Sequence, residues 1–250
     1  MIPTIAAAQA TRDTAESATL SVSEMFGPTL QGEGPYAGQA VQFLRTGGCN
    51  LSCSWCDTPY TWDGSRFDLR AELTQRKAKE LAGNLIPGIP LVVSGGEPLM
   101  HQQNPALLYV LDQARQAGCR VHVETNGTLE PSRELRRRVQ VFAVSPKMTH
   151  AGEHRGNQRP DMHRAWAVLA RRNRRTFLKV VVRDAADVDT VAAWAAAVRW
   201  PARQVWVMPV GTSTPDLLSR WTEIAGAAAK AHINATQRLH VLAWGDTKGT

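Results

Sequence analysis

No uninterrupted apolar run in the 250-residue sequence approaches the roughly 20 residues that a membrane-spanning helix needs, so a soluble protein is expected. A secretory apolar core is missing too. The opening MIPTIAAAQATRDTAESATL is small and polar and is interrupted by Arg12, Asp13 and Glu16, which predicts a mobile N-terminal extension over 1–20 ahead of one catalytic domain over 21–250. Cysteines number only four, and three of them fall between positions 49 and 56. A secreted disulfide framework spreads its bridges to staple loops, so this usage predicts a reducing, cytoplasmic setting. Aromatic residues make up only 6% of the chain, and none interleaves the basic clusters at Arg136 to Arg138 or at Arg171, Arg172, Arg174 and Arg175. A single-strand binder needs such stacking platforms. Despite a net charge of +7 and a pI near 9.6, no nucleic-acid partner is therefore expected, only a solvated Arg-rich surface able to steer a small anion. Internal repeats and low-complexity linkers are also absent from the sequence.

Six short β-branched or aromatic runs are present, at 41, 90, 120, 140, 175 and 204, each followed by a longer segment of helical character. Runs such as LVV and LKVVV lack strict alternation, the pattern of strands covered on both faces by crossover helices. The fold class expected is α/β: a single-domain partial (β/α)6-type barrel with a largely parallel sheet. Helices are predicted at 71–82, 106–117, 161–172, 185–198 and 216–231, with a short one at 132–138. Asp161, Asp184 and Asp216 are the predicted N-caps. Chemistry in such folds gathers where strand C-termini meet the following loops, and most of the unusual residue groups fall there.

Cys49, Cys53 and Cys56 form the sharpest of these groups. A short loop lets three thiolates converge on one metal centre, yet a fourth ligand is missing nearby. Structural zinc sites are closed and four-coordinate, and His101 and His122 lack finger-like spacing, which leaves a zinc-binding nucleic-acid module as a remote alternative. Three cysteines on a cubane cluster instead leave one iron open to a cofactor. Cys119, at a strand entry, reads as a small core residue.

The spacing of these cysteines, with Trp55 before the last, resembles the signature of the radical S-adenosylmethionine superfamily. Within it, the Thr29-Leu30-Gln31-Gly32-Glu33-Gly34 segment, Arg45 four residues ahead of Cys49, and Asp57-Thr58 after the last cysteine resemble the 7-carboxy-7-deazaguanine synthase family. The resemblance is firm from about residue 22 to 150 and weak beyond. It implies a 4Fe–4S cluster on Cys49, Cys53 and Cys56, S-adenosylmethionine chelated at the open iron, and a 5′-deoxyadenosyl radical formed from it. The implied reaction is ring contraction of 6-carboxy-5,6,7,8-tetrahydropterin to 7-carboxy-7-deazaguanine with loss of ammonia. A homodimer and an external electron donor such as flavodoxin or ferredoxin are implied as well. A glycyl-radical activating enzyme, which shares the small size and cysteine spacing, is the alternative within the superfamily.

Carried onto this sequence, the resemblance gives Leu30, Gln31, Gly32, Arg45 and Ser94 as substrate-binding and Glu124 as catalytic acid/base or hydrogen-bonding partner. The cofactor would meet Trp55, Cys56, Asp57, Gly96, Ser145, Pro146, Lys147, Met208 and Pro209, and Thr58 would ligate Mg²⁺. Plainer readings stand beside these. Gly95 and Gly96 can be a turn, Gln31 part of a glycine-rich turn, Thr58 a helix cap, Met208 a core residue, and Ser145 to Lys147 a proline-terminated strand with a solvated lysine. Arg45 can be a surface charge; ending a buried strand, however, its guanidinium needs a fixed anion, which a carboxylate substrate would supply.

Overall fold

The computed structural model describes residues 13–155 and 161–250. Its strands, in chain order, are β1 (Thr19–Leu30), β2 (Ala40–Thr46), β3 (Thr74–Lys77), β4 (Leu91–Gly95), β5 (Val121–Thr125), β6 (Val141–Val144), β7 (Thr176–Val182), β8 (Val205–Pro209) and β9 (Asn234–Ala235). They form one sheet in the order β3-β1-β2-β4-β5-β6-β7-β8-β9. From β2 to β9 every pairing is parallel, and β1 runs antiparallel to both β2 and β3. The six predicted strands are thus the parallel centre of an open α/β sheet. β1, β3 and the two-residue β9 extend its edges.

Alternation within the apolar runs decides which side chains reach the site, because neighbouring residues of a strand point to opposite faces. Leu44, Val93, Val121, Val123, Leu178 and Val180 pack with Leu107, Leu111, Trp166, Val188 and Ile224 in the main core between sheet and helices. The residues between them face the other way. Phe43 and Arg45 on β2, His122 and Glu124 on β5, and Phe177, Lys179 and Val181 on β7 therefore share the concave face.

Several expected boundaries are corrected. The helix predicted at 71–82 is broken into a turn of helix at Leu69–Glu72, strand β3, and a helix at Ala78–Gly83, because Thr74–Lys77 pairs with β1. The helix expected from 161 begins at Ala165, so the exposed Asp161 is not its cap. Asp184 caps the Ala185–Ala197 helix as predicted, accepting from the Asp187 N–H. At the Thr214–Lys230 helix the cap is Ser213: its Oγ accepts from the Asp216 N–H and donates to Asp216 Oδ2 at 2.6 Å, a reciprocal pairing that places Asp216 in the first turn. Of the extension expected over 1–20, residues 1–12 lie outside the described residues. Residues 13–17 are helical, and β1 starts at Thr19 with Leu20 fully buried.

Candidate active site

The C-terminal ends of β2, β4, β5, β6 and β7 open into a cleft of about 460 Å³. Cys49, Cys53 and Cys56 line one wall. Their loop is anchored on three sides: Gly48 N–H donates to Thr61 O (2.7 Å), Ser54 N–H to Ala151 O (2.8 Å), and Glu97 N–H to Gly48 O (2.8 Å). The glycine pair makes the last contact possible. Gly95 has φ +123°, and a Cβ on Gly96 would stand 1.9 Å from Gly48 O, so only glycine lets β4 approach the cysteine loop. Glu97, fully buried, ties that junction to β5 by accepting from Leu99 N–H (2.9 Å), Asn126 N–H (2.6 Å) and Thr125 Oγ1 (2.8 Å).

The chemistry of this donor set fits a site-open cluster. Three thiols face one cleft, and Cys119 lies apart from it, buried with Gln42 Nε2 at 3.7 Å and Ile86 O at 3.4 Å. Burial pushes the Cys49 thiol up to about 12 and raises Cys53 as well, so without metal these are neutral thiols; iron would displace their protons. Hydrogen-bond donors already point at two sulfurs: Trp62 Nε1–H donates to Cys56 Sγ at 3.3 Å and Leu51 N–H to Cys49 Sγ at 3.4 Å. Lys147 brings a cation over the Trp55 ring at 5.4 Å and donates to Ser145 Oγ at 3.0 Å.

The facing wall is built from charge. Glu124 accepts from Gln31 Nε2 (3.1 Å), Ser94 Oγ (3.3 Å) and Lys179 Nζ (2.9 Å). Lys179 also donates to Glu33 Oε2 (2.8 Å), whose other oxygen accepts from Arg238 Nε (2.7 Å). Arg238 continues to Asp57 and to Gly211 O. Burial pushes the Glu33 carboxyl up, but Lys179 and Arg238 outweigh it and hold the group well below the ordinary carboxylate range. The His240 ring packs on Gly32, where a Cβ would meet Nδ1 at 1.9 Å.

Most predicted site residues line this cleft, among them Leu30, Gln31, Gly32, Arg45, Trp55, Asp57, Thr58, Ser94, Gly96, Glu124, Ser145 and Lys147. Pro146, Met208 and Pro209 do not; Met208 is fully buried and takes the core reading. Arg45 differs from expectation in its partner. Glu24 of β1 already neutralises it, with Nε at 2.6 Å from Oε1, and Tyr60 OH donates to the same oxygen at 3.0 Å. Neither Nη of Arg45 has a protein acceptor among the described residues. The capping role for Thr58 is not taken up either: its hydroxyl makes no cap bond to the following 3₁₀ turn and lies 3.7 Å from Cys56 Sγ. Glu33, Lys179, Arg238 and His240 were not foreseen. Lys179 did carry a signal, as a lone charge inside the apolar run Thr176–Val182.

The Radical SAM superfamily model matches residues 43–152, which span β2, the cysteine loop and the strands up to β6. Over 230 residues the chain is 34% identical to the 7-carboxy-7-deazaguanine synthase of Pyrobaculum aerophilum, covering 91% of this chain and 96% of that protein. The chain belongs to the 7-carboxy-7-deazaguanine synthase family. A second member, from Bacillus subtilis, is 31% identical, with 92% of this chain and 98% of the relative covered. The fold is also that of the crystal structure of QueE from Escherichia coli, with a TM-score of 0.59 at 23% identity over 89% of this chain and 95% of that one. As a radical SAM protein of this family, the chain takes a 4Fe–4S cluster and S-adenosylmethionine.

Proposed function

We propose that this cleft converts 6-carboxy-5,6,7,8-tetrahydropterin to 7-carboxy-7-deazaguanine, releasing ammonia, and that Cys49, Cys53 and Cys56 hold the cluster there. The observation that carries the reading is that the three thiols share one cleft with the unpaired Nη groups of Arg45 and with the triply bonded Glu124. Cys49, Cys53 and Cys56 would hold the cluster, and S-adenosylmethionine bound there would supply the radical chemistry for hydrogen abstraction.

The remaining work falls to side chains. Arg45 keeps both Nη groups for the substrate carboxylate because Glu24 occupies only its Nε, and a bidentate clamp fixes orientation as well as charge. Glu124, with its oxygens held by three donors, presents a fixed acceptor to ring N–H groups and a base for a ring proton. Gln31 and Ser94 fix Glu124 in place. Gly96, Ser145 and Lys147 stand on the cluster side, where backbone and ammonium groups suit the methionine end of the cofactor.

Mg²⁺ belongs to this reading, anchored at Thr58 Oγ1 and completed by substrate oxygens and water. Glu33, Asp57 and His240 also bring ligand atoms within 4.8 Å of one another. Arg238, however, already compensates both carboxylates, and an imidazole suits Mg²⁺ poorly, so the hydroxyl of Thr58, whose recorded partner is Cys56 Sγ, is the better anchor. A homodimer, an external one-electron donor and a cytoplasmic setting complete the proposal. Four free cysteines and the lack, among the described residues, of any helix long and apolar enough to cross a membrane are consistent with the setting.

The test is anaerobic turnover by cluster-loaded protein with the pterin, S-adenosylmethionine, Mg²⁺ and a reductant, without any partner polypeptide. Equimolar 7-carboxy-7-deazaguanine and ammonia are expected, with S-adenosylmethionine undiminished. Cofactor cleavage with no ring-contracted product would contradict the reading.

A further inference from the structure

We propose that Lys179 is the positioning residue of the pterin side of the cleft: its ammonium bridges Glu33 and Glu124, so that both side chains can face the substrate. The inference rests on the reading of the cleft as the site of ring contraction.

Lysine is a costly choice in the middle of a parallel strand. Its side chain is 6% exposed, and the strand around it, Thr176–Val182, is otherwise apolar apart from its first residue. A buried ammonium with no partner would shed its proton. Here two carboxylates meet it, Glu33 at 2.8 Å and Glu124 at 2.9 Å, and they come from the loop after β1 and from β5, 91 residues apart in sequence. Both oxygens contact one nitrogen, so they lie no farther apart than the sum of those two distances. Two carboxylates so close, and largely shielded from water, would repel each other if no cation stood between them.

The two acids depend on Lys179 unequally. Glu33 keeps a second cation, Arg238 Nε at 2.7 Å, and the ring of His240 on the Leu239–Trp244 helix also faces it. Glu124 has no other cation within salt-bridge distance among the described residues; its remaining partners, Gln31 and Ser94, are neutral. Removing Lys179 should therefore change Glu124 most. The lysine is not itself placed to be an acid. Burial works against its charge, but the two carboxylates outweigh that effect and raise its proton affinity well above the ordinary lysine range. Its role is to set the charge and position of Glu124.

The test compares the full-length, cluster-loaded wild type with Lys179→Met and with Lys179→Met/Glu124→Gln, reading the equilibrium affinity for 6-carboxy-5,6,7,8-tetrahydropterin together with iron content. Methionine keeps the stem and removes the charge; the second change removes the carboxylate that the charge had neutralised. Lys179→Met is expected to hold its cluster and to bind the pterin at least ~30-fold more weakly. The double variant should regain roughly tenfold of that loss, since an amide oxygen still accepts an N–H and no unbalanced charge remains. If Lys179→Met loses its cluster while the double variant keeps it, charge balance is again the cause. Pterin affinity of Lys179→Met within threefold of the wild type, a double variant no better than the single one, or failure of both variants to load iron would each overturn the inference. A wild type that neither binds nor converts the pterin would overturn the functional reading and this inference with it. Normal wild-type turnover combined with any of the three contrary results would strike at the lysine alone.

Discussion

The two walls of the cleft are made in opposite ways. The cysteine wall comes from two short stretches of chain, 47–57 and 94–97, in which backbone hydrogen bonds and glycine contacts, braced from Thr61 and Ala151, fix a loop around three thiols. The facing wall is assembled from Gln31, Glu33, Glu124, Lys179 and Arg238, drawn from across the chain and joined at the cleft by side-chain hydrogen bonds and ion pairs. A local loop can hold a metal centre whatever lies opposite. A long-range charge network exists only in the finished fold, and its members other than Arg238, which bonds to Asp57 beside Cys56, can be changed without touching the loop. Damage to the first wall should therefore remove all chemistry, while damage to the second should uncouple the chemistry from its product.

The largest effects are expected in the cysteine wall. Replacing Cys49, Cys53 or Cys56 by Ala should abolish both the iron content and turnover, because no fourth cysteine can substitute. Cys119→Ala should leave both at wild-type levels; it is buried on Gln42 and Ile86, away from the cleft. Iron and sulfide analysis alongside product assay checks the pair, and cluster loss in the Cys119 variant would overturn the ligand assignment. Gly96→Ala belongs with them. Its Cβ would lie 1.9 Å from Gly48 O and 2.4 Å from Gly48 C, both backbone atoms, so the loop must move. Destabilisation of about 2–3 kcal/mol and a fall in iron loading are expected, read by thermal unfolding and metal analysis.

Changes to the groups that would hold substrate and Mg²⁺ should keep the cluster. Glu124→Gln preserves shape and the acceptor oxygen toward Lys179, so substrate binding should survive better than rate, with kcat falling by roughly 100-fold or about 3 kcal/mol. Steady-state kinetics would count against the acid/base role if only KM changed. Thr58→Ala should weaken the acceleration by Mg²⁺ without stopping cofactor cleavage, as expected of a hydroxyl left without an oxygen partner beside Cys56. A Mg²⁺ titration identical to the wild type's would remove Thr58 from the metal site.

The remaining effect falls on stability rather than turnover, at His122. Its ring lies tilted against Tyr36 with centroids 4.8 Å apart, and burial lowers it to about 4 from the ordinary 6.5. Below pH 6.5 the unfolded chain binds a proton there that the folded chain refuses until about pH 4, so stability falls as the pH drops through that window. The contribution is of the order of 3 kcal/mol across the window, and His122→Phe should flatten that part of the pH–stability curve measured by denaturant unfolding.

The contrast between the walls also explains what could be read from the sequence. Contiguous features were legible: the three cysteines, the glycine pair after β4, and the six parallel strands with their helices. β1 is not among the six strands expected from the sequence, and only its last residues, Thr29 and Leu30, fall in a motif. Its pairing with β2 shifts register twice, once on either side of Met25, and its burial pattern has no clean period. Arg45 was rightly expected to need an anion, yet Glu24 supplies one across the β1–β2 pairing, which only register reveals. Arg238 and His240 sit in a C-terminal segment whose local pattern carries no sign that it folds over the cleft; nothing short of the fold places them beside Glu33 and Gly32.

The separability of the two walls is tested most directly by the ratio of 5′-deoxyadenosine released to 7-carboxy-7-deazaguanine formed, measured anaerobically for the wild type and Arg45→Lys at matched iron content. Lysine keeps the charge beside Glu24 but loses the two-pronged Nη face, so product should fall by roughly 100-fold while cleavage continues. The account predicts a ratio near zero for the wild type and a large ratio for the variant. A variant that keeps the wild-type ratio and yield would show that Arg45 does not orient the substrate carboxylate, and would contradict the division of the cleft into a radical-generating wall and a substrate-holding one.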